Sequence, residues 1–181
     1  MSPWIRVITL AFILGAGSSV AQAPADSLAE SRAAFARRDY QRSFQLLLPL
    51  ARAGNPEAQV RLGHMYYHGQ GVREDDAEAF IWFQRAALVG YAEGQYQLAN
   101  MYAFGFGVPR DETDPDRAAA RWYFEAARQE HPEAQYSLGI LFFAGKGVMR
   151  SDDEALVWFR RAANLGHRDA QRFIEGHAGP R

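Results

Sequence analysis

A stretch of about 36 residues recurs three times and sets what this chain can fold into. The copies open at Glu57 (EAQVRLGHMYYHGQGVREDDAEAFIWFQRAALVGY), at Glu93 with four extra residues, and at Glu133 (EAQYSLGILFFAGKGVMRSDDEALVWFRRAANLGH). A truncated fourth, DAQRFIEG, begins at Asp169. A fixed period in this range marks a repeat array. Each unit is one supersecondary element that cannot bury its apolar face alone, so stacked neighbours must supply the core.

Each unit reads as two helices. In the third copy the first helix runs from about Glu133 to Phe143, with Ala134, Leu138, Leu141 and Phe142 at helical spacing; Ala58, Leu62, Met65 and Tyr66 repeat the pattern. A Gly-x-Gly-Val loop follows in every copy, at Gly69 and Gly71, Gly105 and Gly107, Gly145 and Gly147. Two glycines so placed suit a chain that leaves a helix through positive φ and turns sharply. The second helix then opens at Asp75, Asp114 or Ser151. Glu78 and Glu154 stand three residues after the first and last of these, as in a capping box, and Pro115 follows Asp114 at a first helical position. The four inserted residues, around Asp111 to Asp114, are expected to lengthen this loop.

Comparing copies separates scaffold from surface. Trp82, Trp122 and Trp158 share a column, each followed by an aromatic ring (Phe83, Tyr123, Phe159) and then by paired alanines at 86–87, 126–127 and 162–163. The three tryptophans are expected to be equivalently buried. Gly63, Ala99 and Gly139 form a small column on the first helix. Glycine inside a helix costs about 1 kcal/mol relative to alanine, so its recurrence implies a close approach by a neighbour.

The pattern Ala58, Leu62, Gly63, Tyr66, Gly69, Gly71, Val72, Ala79, Trp82, Ala86, Ala87 and Gly90, repeated at this period, resembles the Sel-one-like repeat family, relatives of the tetratricopeptide repeats. The resemblance covers Glu57 to about Gly176. It implies an all-α superhelical solenoid of helix-turn-helix units that acts as an adaptor for protein complexes rather than as an enzyme. Three positions depart from the pattern: Ala99 for glycine, Phe142 for tyrosine and Glu130 for the terminal glycine.

The flanks complete the domain plan. Residues 1–23 carry one basic residue, Arg6, an apolar run from Val7 to Leu14, and then small residues, the layout of a signal peptide. The apolar run is shorter than the roughly 20 residues of a membrane span, so no stable insertion is expected after cleavage, which falls between residues 21 and 25. Residues 26–55 read as an atypical N-terminal hairpin with a short turn at Asp39, and Pro49 is expected to bend or end its second helix. Asn55 and Pro56 cap the first full repeat. Repeats at 57–92, 93–132 and 133–168 follow, then a capping helix to 176 and a tail at 177–181.

Composition excludes several functions. With no cysteine, the chain has no disulfide, thiol nucleophile, cysteine zinc site or lipoprotein anchor, and its stability must come from packing. Apolar residues at 48% can supply that core. The formal charge of −1, with arginines interspersed among acids, gives no nucleic-acid stripe. His64 and His68 have a spacing that can present two imidazoles to a metal. Met65, Tyr66 and Tyr67 lie between them where a zinc protease would need glutamate, so no metal or cofactor is expected. The Gly-x-Gly loops follow helices and lack a third glycine, so they are not nucleotide loops. Asp75–Asp76 and Asp152–Asp153 are explained by the helix dipole.

What varies between copies points to a binding face. On the first helices a second face is formed by Val60, His64 and Tyr67, by Tyr96, Asn100 and Ala103, and by Tyr136, Ile140 and Phe143. In tetratricopeptide-like arrays that helix lines the concave side. This strip is aromatic for a solvated surface, and His64, Tyr67, Tyr96, Asn100, Tyr136 and Phe143 are the candidate contacts for an extended or helical protein segment. The alternative is that the tyrosines pack between hairpins. The resulting expectation is a monomeric, periplasmic scaffold binding an envelope protein. A cell-wall or β-lactam hydrolase, as reported for cysteine-rich relatives, is the second reading, although Ser137 and Ser151 lie in no nucleophile motif.

Overall fold

The computed structural model describes residues 24–177. The segment expected to be a signal peptide, 1–23, and residues 178–181 of the tail lie outside that range. The described residues form α1 (Pro24–Ala36), α2 (Tyr40–Arg52), α3 (Pro56–Tyr67), α4 (Asp76–Leu88), α5 (Ala92–Phe104), α6 (Pro115–Ala127), α7 (Pro132–Ala144), α8 (Asp152–Asn164) and α9 (Arg168–His177). No strand occurs among them. Each helix packs on its neighbours in sequence and α3 also reaches α5, which is the all-α repeat solenoid that the period implies. None of these helices is long and apolar enough to cross a membrane.

Local chemistry sets the helix boundaries. The carboxylate of Asp75 accepts from the amides of Ala77 and Glu78, Asp114 from Arg117, and the Ser151 hydroxyl from Glu154. Asn55 does the same for Ala58. The reciprocal half of the capping box is absent, however. The amides of Asp75 and Ser151 donate to the carbonyls of Tyr66 and Phe142 at 3.0 Å, so the preceding helix satisfies the donor that Glu78 and Glu154 would have taken. In the loops, Gly105 and Gly107 lie at φ +76° and +61°, Gly145 and Gly147 at +70° and +68°. The second glycine of each pair is also pressed against the preceding unit. A Cβ at Gly107 would land on the Asp76 carbonyl, and one at Gly147 on that of Asp116.

Asp76 is the first residue of α4 and Asp116 the second of α6, which exposes how the insertion is absorbed. Asp114 stands eight residues before its tryptophan, whereas Asp75 and Ser151 stand seven before theirs. Three extra residues therefore lengthen the loop and one extends the start of α6, a correction to an insertion confined to the loop. Pro49 also departs from expectation. Helix α2 continues through it to Arg52. Pro49 and Gln45, whose carbonyl loses its partner, are both exposed, so the missing bond falls where solvent can satisfy it.

The core runs along the repeats as two clusters, with the half-buried Tyr66 packed against both. Leu47, Leu50, Ala51, Ala58, Leu62, Met65 and Trp82 close the N-terminal end, and a larger cluster continues from Phe80 and Phe83 to Leu141 and Trp158. Trp82 and Trp158 are each 5% exposed. Trp122 is only half-buried, against the expectation of three equivalent tryptophans. The ring of Phe124 meets Trp158 edge-on at 5.9 Å, and Leu48 packs on the cluster that holds Trp82. The corresponding position before Trp122 is the polar Gln84. The small column faces the ring after each tryptophan rather than the tryptophan itself, Gly63 against Phe83 and Gly139 against Phe159.

Candidate functional site

Four of the six predicted contacts converge on one pocket. His64 and Tyr67 from α3 and Tyr96 and Asn100 from α5 line a cavity of about 360 Å³. The second helices supply Phe83 and Tyr123, and Phe104 and Phe106 close it where α5 ends. The apolar walls are ring on ring. His64 meets Phe83 edge-on at 5.1 Å, and Tyr67 meets Phe106 at 5.6 Å. Phe104 stands 69% exposed at the rim, an apolar side chain that folding leaves in water.

A polar chain runs beneath these rings. Tyr123 donates its hydroxyl proton to Asn100 Oδ1 at 2.6 Å, Asn100 Nδ2 donates to Gln97 Oε1 at 3.4 Å, and Gln97 Nε2 donates to Glu93 Oε1 at 2.6 Å. His131 completes it. Its Nδ1 accepts from the Ala134 amide as the cap of α7, so Nε2 bears the proton and donates to Glu93 Oε2 at 3.0 Å. That bond holds the Glu93 carboxyl below the usual carboxylate range. Burial lowers the proton affinity of His64 and pushes the Tyr123 phenol well above its ordinary range. The rings thus stand on a floor whose carboxylate is engaged by Gln97 and His131, while Asn100 and Gln97 each keep a second N–H at the edge.

Tyr136 and Phe143 lie apart from this pocket. Tyr136 stacks on His167 at 4.3 Å, and Phe143 meets Phe173 at 5.8 Å, both on the capping end of the solenoid. Val60, placed on the same face in the sequence, is buried in the core. Packing against the cap breaks what looked like one strip across three repeats. Tyr96 likewise stacks on the next unit's His131 at 4.7 Å, while its edge lines the pocket.

The repeat pattern, its caps and its paired glycines match the family model for the Sel1 repeat over residues 31–55, 56–91, 92–131 and 132–167. This chain belongs to the Sel1 repeat family. No curated protein matches it. Among solved structures it is similar to a Sel1 repeat protein from Oxalobacter formigenes, with 31% identity and a TM-score of 0.72 over 79% of this chain and 57% of that one. It is also similar to a protective antigen of uropathogenic Escherichia coli displaying an SLR fold, with 30% identity and a TM-score of 0.75, over 81% of this chain and 32% of that one. Helicobacter pylori cysteine rich protein B shares the fold at 22% identity and a TM-score of 0.57, over 74% of this chain and 96% of that one. The chain therefore spans about half, and about a third, of the length of the first two. Its N-terminal hairpin, atypical in sequence, is the first of four matched Sel1 units.

Sel1 repeats build a scaffold for protein–protein interaction, and nothing in this site favours a hydrolase. Ser151 is spent as a helix cap. Ser137 lines the pocket, but the group it meets there is the Tyr123 phenol, which is no base for a serine nucleophile. Among the described residues no three metal-ligating side chains gather.

One column of these Sel1 units carries a role that its sequence did not disclose. Gln59, Gln95, Gln135 and Gln171 recur at the repeat period, and each donates Nε2 to a carbonyl eight residues back, on Ala51, Ala87, Ala127 and Ala163, at 3.0–3.4 Å. Each carbonyl lies in the last turn of the preceding helix and already accepts the N–H three residues on, from Gly54, Gly90, Glu130 or Gly166, so the glutamine of the next unit supplies a second bond that ties neighbouring units together. The signal was the glutamine shared by EAQ, EGQ, EAQ and DAQ.

Proposed function

We propose that this chain is exported and serves in the periplasm as a monomeric adaptor. Its first-helix pocket takes an apolar side chain from an extended or helical segment of an envelope protein. The observation carrying this reading is the pocket itself: exposed rings of Phe104 and Phe106 and the edges of Tyr67 and Tyr96 around a space large enough for one bulky side chain, rimmed by the amides of Gln97 and Asn100. Amide side chains both donate and accept, and so suit a peptide backbone laid across the rim. Aromatic side chains lose little conformational freedom on binding and anchor interfaces.

The test is selection of peptides from a displayed random library on the mature chain. Phe104→Ser, at the exposed rim, and Tyr67→Ser should abolish binding of the selected peptides while leaving the melting temperature within about 2 °C. Peptides that bind the variants as tightly as the wild type would place the partner surface elsewhere. Export is read separately. Fractionation and N-terminal sequencing should find a soluble periplasmic chain beginning between residues 22 and 26, and a chain still beginning at Met1 would refute it.

A further inference from the structure

A second cavity of about 370 Å³ shares His64 and His68 with the aromatic pocket and reaches from α3 back to the N-terminal hairpin. Its apolar wall is Phe35, Leu47 and Met65. Its polar lining is Ser43, Arg61, His64, His68 and Gln70, a set rich in hydrogen-bond donors that contains no carboxylate.

Two observations show what this cavity lacks. Ser43 is 1% exposed, and its Oγ has no hydrogen-bond partner. A buried hydroxyl left without a partner costs about 1–3 kcal/mol, and a helical serine ordinarily avoids that by bonding the preceding turn. The charge is also unbalanced. Arg32 and Arg61 share the single carboxylate of Glu57, Arg32 through both oxygens and Arg61 through Nε at 2.9 Å. Of these three groups two are positive and one negative, and Glu93, the carboxylate that acts on His64, is held by His131 and Gln97; the terminal nitrogens of Arg61 make no hydrogen bond among the described residues. Burial keeps His64 neutral, a ring that can donate through one N–H.

We infer that this cavity binds a carboxylate carried on an apolar stem, the stem lying on Phe35, Leu47 and Met65 and the carboxylate accepting from Ser43 and Arg61. A hydroxyl and a guanidinium converging on an anion make the strong, charge-assisted kind of hydrogen bond. The apolar wall is too small for an extended surface and fits one short aliphatic or aromatic group. Such a group can be a free carboxylic acid or the last residue of a polypeptide. The inference does not rest on the adaptor reading, since its polar contacts lie outside the aromatic pocket.

The experiment is an NMR titration of the mature chain with four probes: hexanoate, hexylamine, the tripeptide N-acetyl-Ala-Ala-Leu with a free carboxyl group, and the same tripeptide amidated. The two acids are expected to shift the amides around Ser43 and Met65, with the amine and the amide binding at least tenfold more weakly. Hexanoate matching the tripeptide acid assigns the site to free acids; a tripeptide acid bound tenfold more tightly assigns it to polypeptide carboxy termini. Ser43→Ala should weaken the preferred acid about tenfold, as loss of a hydrogen bond to a charged group does, without lowering the melting temperature. Phe104→Ser should leave acid binding unchanged, which separates this site from the partner pocket. Amide and acid bound equally, acids that shift nothing, or Ser43→Ala with undiminished affinity would each overturn the inference.

Discussion

A methyl group on Gly63 would stand 2.5 Å from Cε1 of Phe83, well inside van der Waals contact. Gly139 and Phe159 repeat the relation at 2.7 Å. Alanine is the better helix former by about 1 kcal/mol, so helix propensity alone favours Gly63→Ala. Overpacking a core against a fixed ring costs about 1–3 kcal/mol and outweighs that gain. Gly63→Ala and Gly139→Ala should therefore lower stability by up to about 2 kcal/mol, read by urea unfolding. The second unit already has Ala99 here, and its ring is Tyr123, tied by its hydroxyl to Asn100.

The glutamine column makes a different demand. Gln135 is 4% exposed and its amide caps the carbonyl of Ala127 at 3.0 Å. In Gln135→Leu the volume is kept but the Ala127 carbonyl retains only its bond from the Glu130 amide, a loss of about 1 kcal/mol. Gln171, exposed and making the same bond to Ala163, should cost less than 1 kcal/mol when changed to leucine. Equal losses at the two positions would show that the column acts through side-chain volume and not through its hydrogen bond.

The fold was legible because its signals are local and repeated. Caps at Asp75, Asp114 and Ser151 and paired positive-φ glycines each act within a few residues, so their spacing reveals the hairpins. The site was legible only in part. Reading one face of one helix finds His64, Tyr67, Tyr96 and Asn100. It cannot find Phe83 and Tyr123, which enter from second helices, or Phe104 and Phe106, which lie at and beyond the end of α5. Tyr136 occupies the same column as Tyr96 but meets the cap instead of another full repeat. Column identity fixes a residue's place in its own hairpin, while its exposure depends on what the neighbouring unit brings.

Glu130 offers a stabilising change. It sits at φ +60°, in the column where Gly90 and Gly166 have φ +84° and +90°. Both glycines have open space where a Cβ would go, so this column requires backbone freedom rather than room. A side chain in the left-handed region costs roughly 1–2 kcal/mol, partly offset by the greater entropy that glycine loses on folding. Glu130→Gly should raise stability by about 0.5–1 kcal/mol, and Gly90→Ala should lower it by about 1 kcal/mol. Thermal melts of the pair check both signs.

Acid should weaken the fold in two separable windows. Burial lowers the folded-state pKa of His64 below its ordinary value of 6.5, so below that pH the unfolded chain binds a proton that the folded chain does not, and stability falls. The hydrogen bond from His131 depresses Glu93 below its ordinary value of 4.5, so its contribution is present above that pH and is lost as pH falls through the folded value. His64→Gln should flatten stability against pH just below 6.5 and leave the lower window in place. Glu93→Gln should do the reverse. Urea midpoints measured from pH 8 to pH 3 resolve the two.

The tryptophans should report their unequal burial. Trp82 and Trp158 each have an arginine three residues on, Arg85 at 4.4 Å and Arg161 at 4.6 Å, stacked on an otherwise buried ring. Trp122 has Glu125 at that position, and Arg121 covers it instead at 5.0 Å. The rest of its ring opens on a groove of about 790 Å³ walled by the inserted loop at Glu112 and Thr113 and by Phe142 and Val148. Truncating a fully buried aromatic costs about 3–5 kcal/mol, and Trp158→Ala should fall in that range. Trp122→Ala removes less buried area and should cost about 2 kcal/mol. In the chain without residues 1–23, which carry Trp4, acrylamide should quench Trp122 before Trp82 and Trp158, so Trp122→Phe should remove the most accessible fraction of the fluorescence. Uniform quenching of all three, or equal losses of stability, would show that the inserted loop closes over Trp122 in solution.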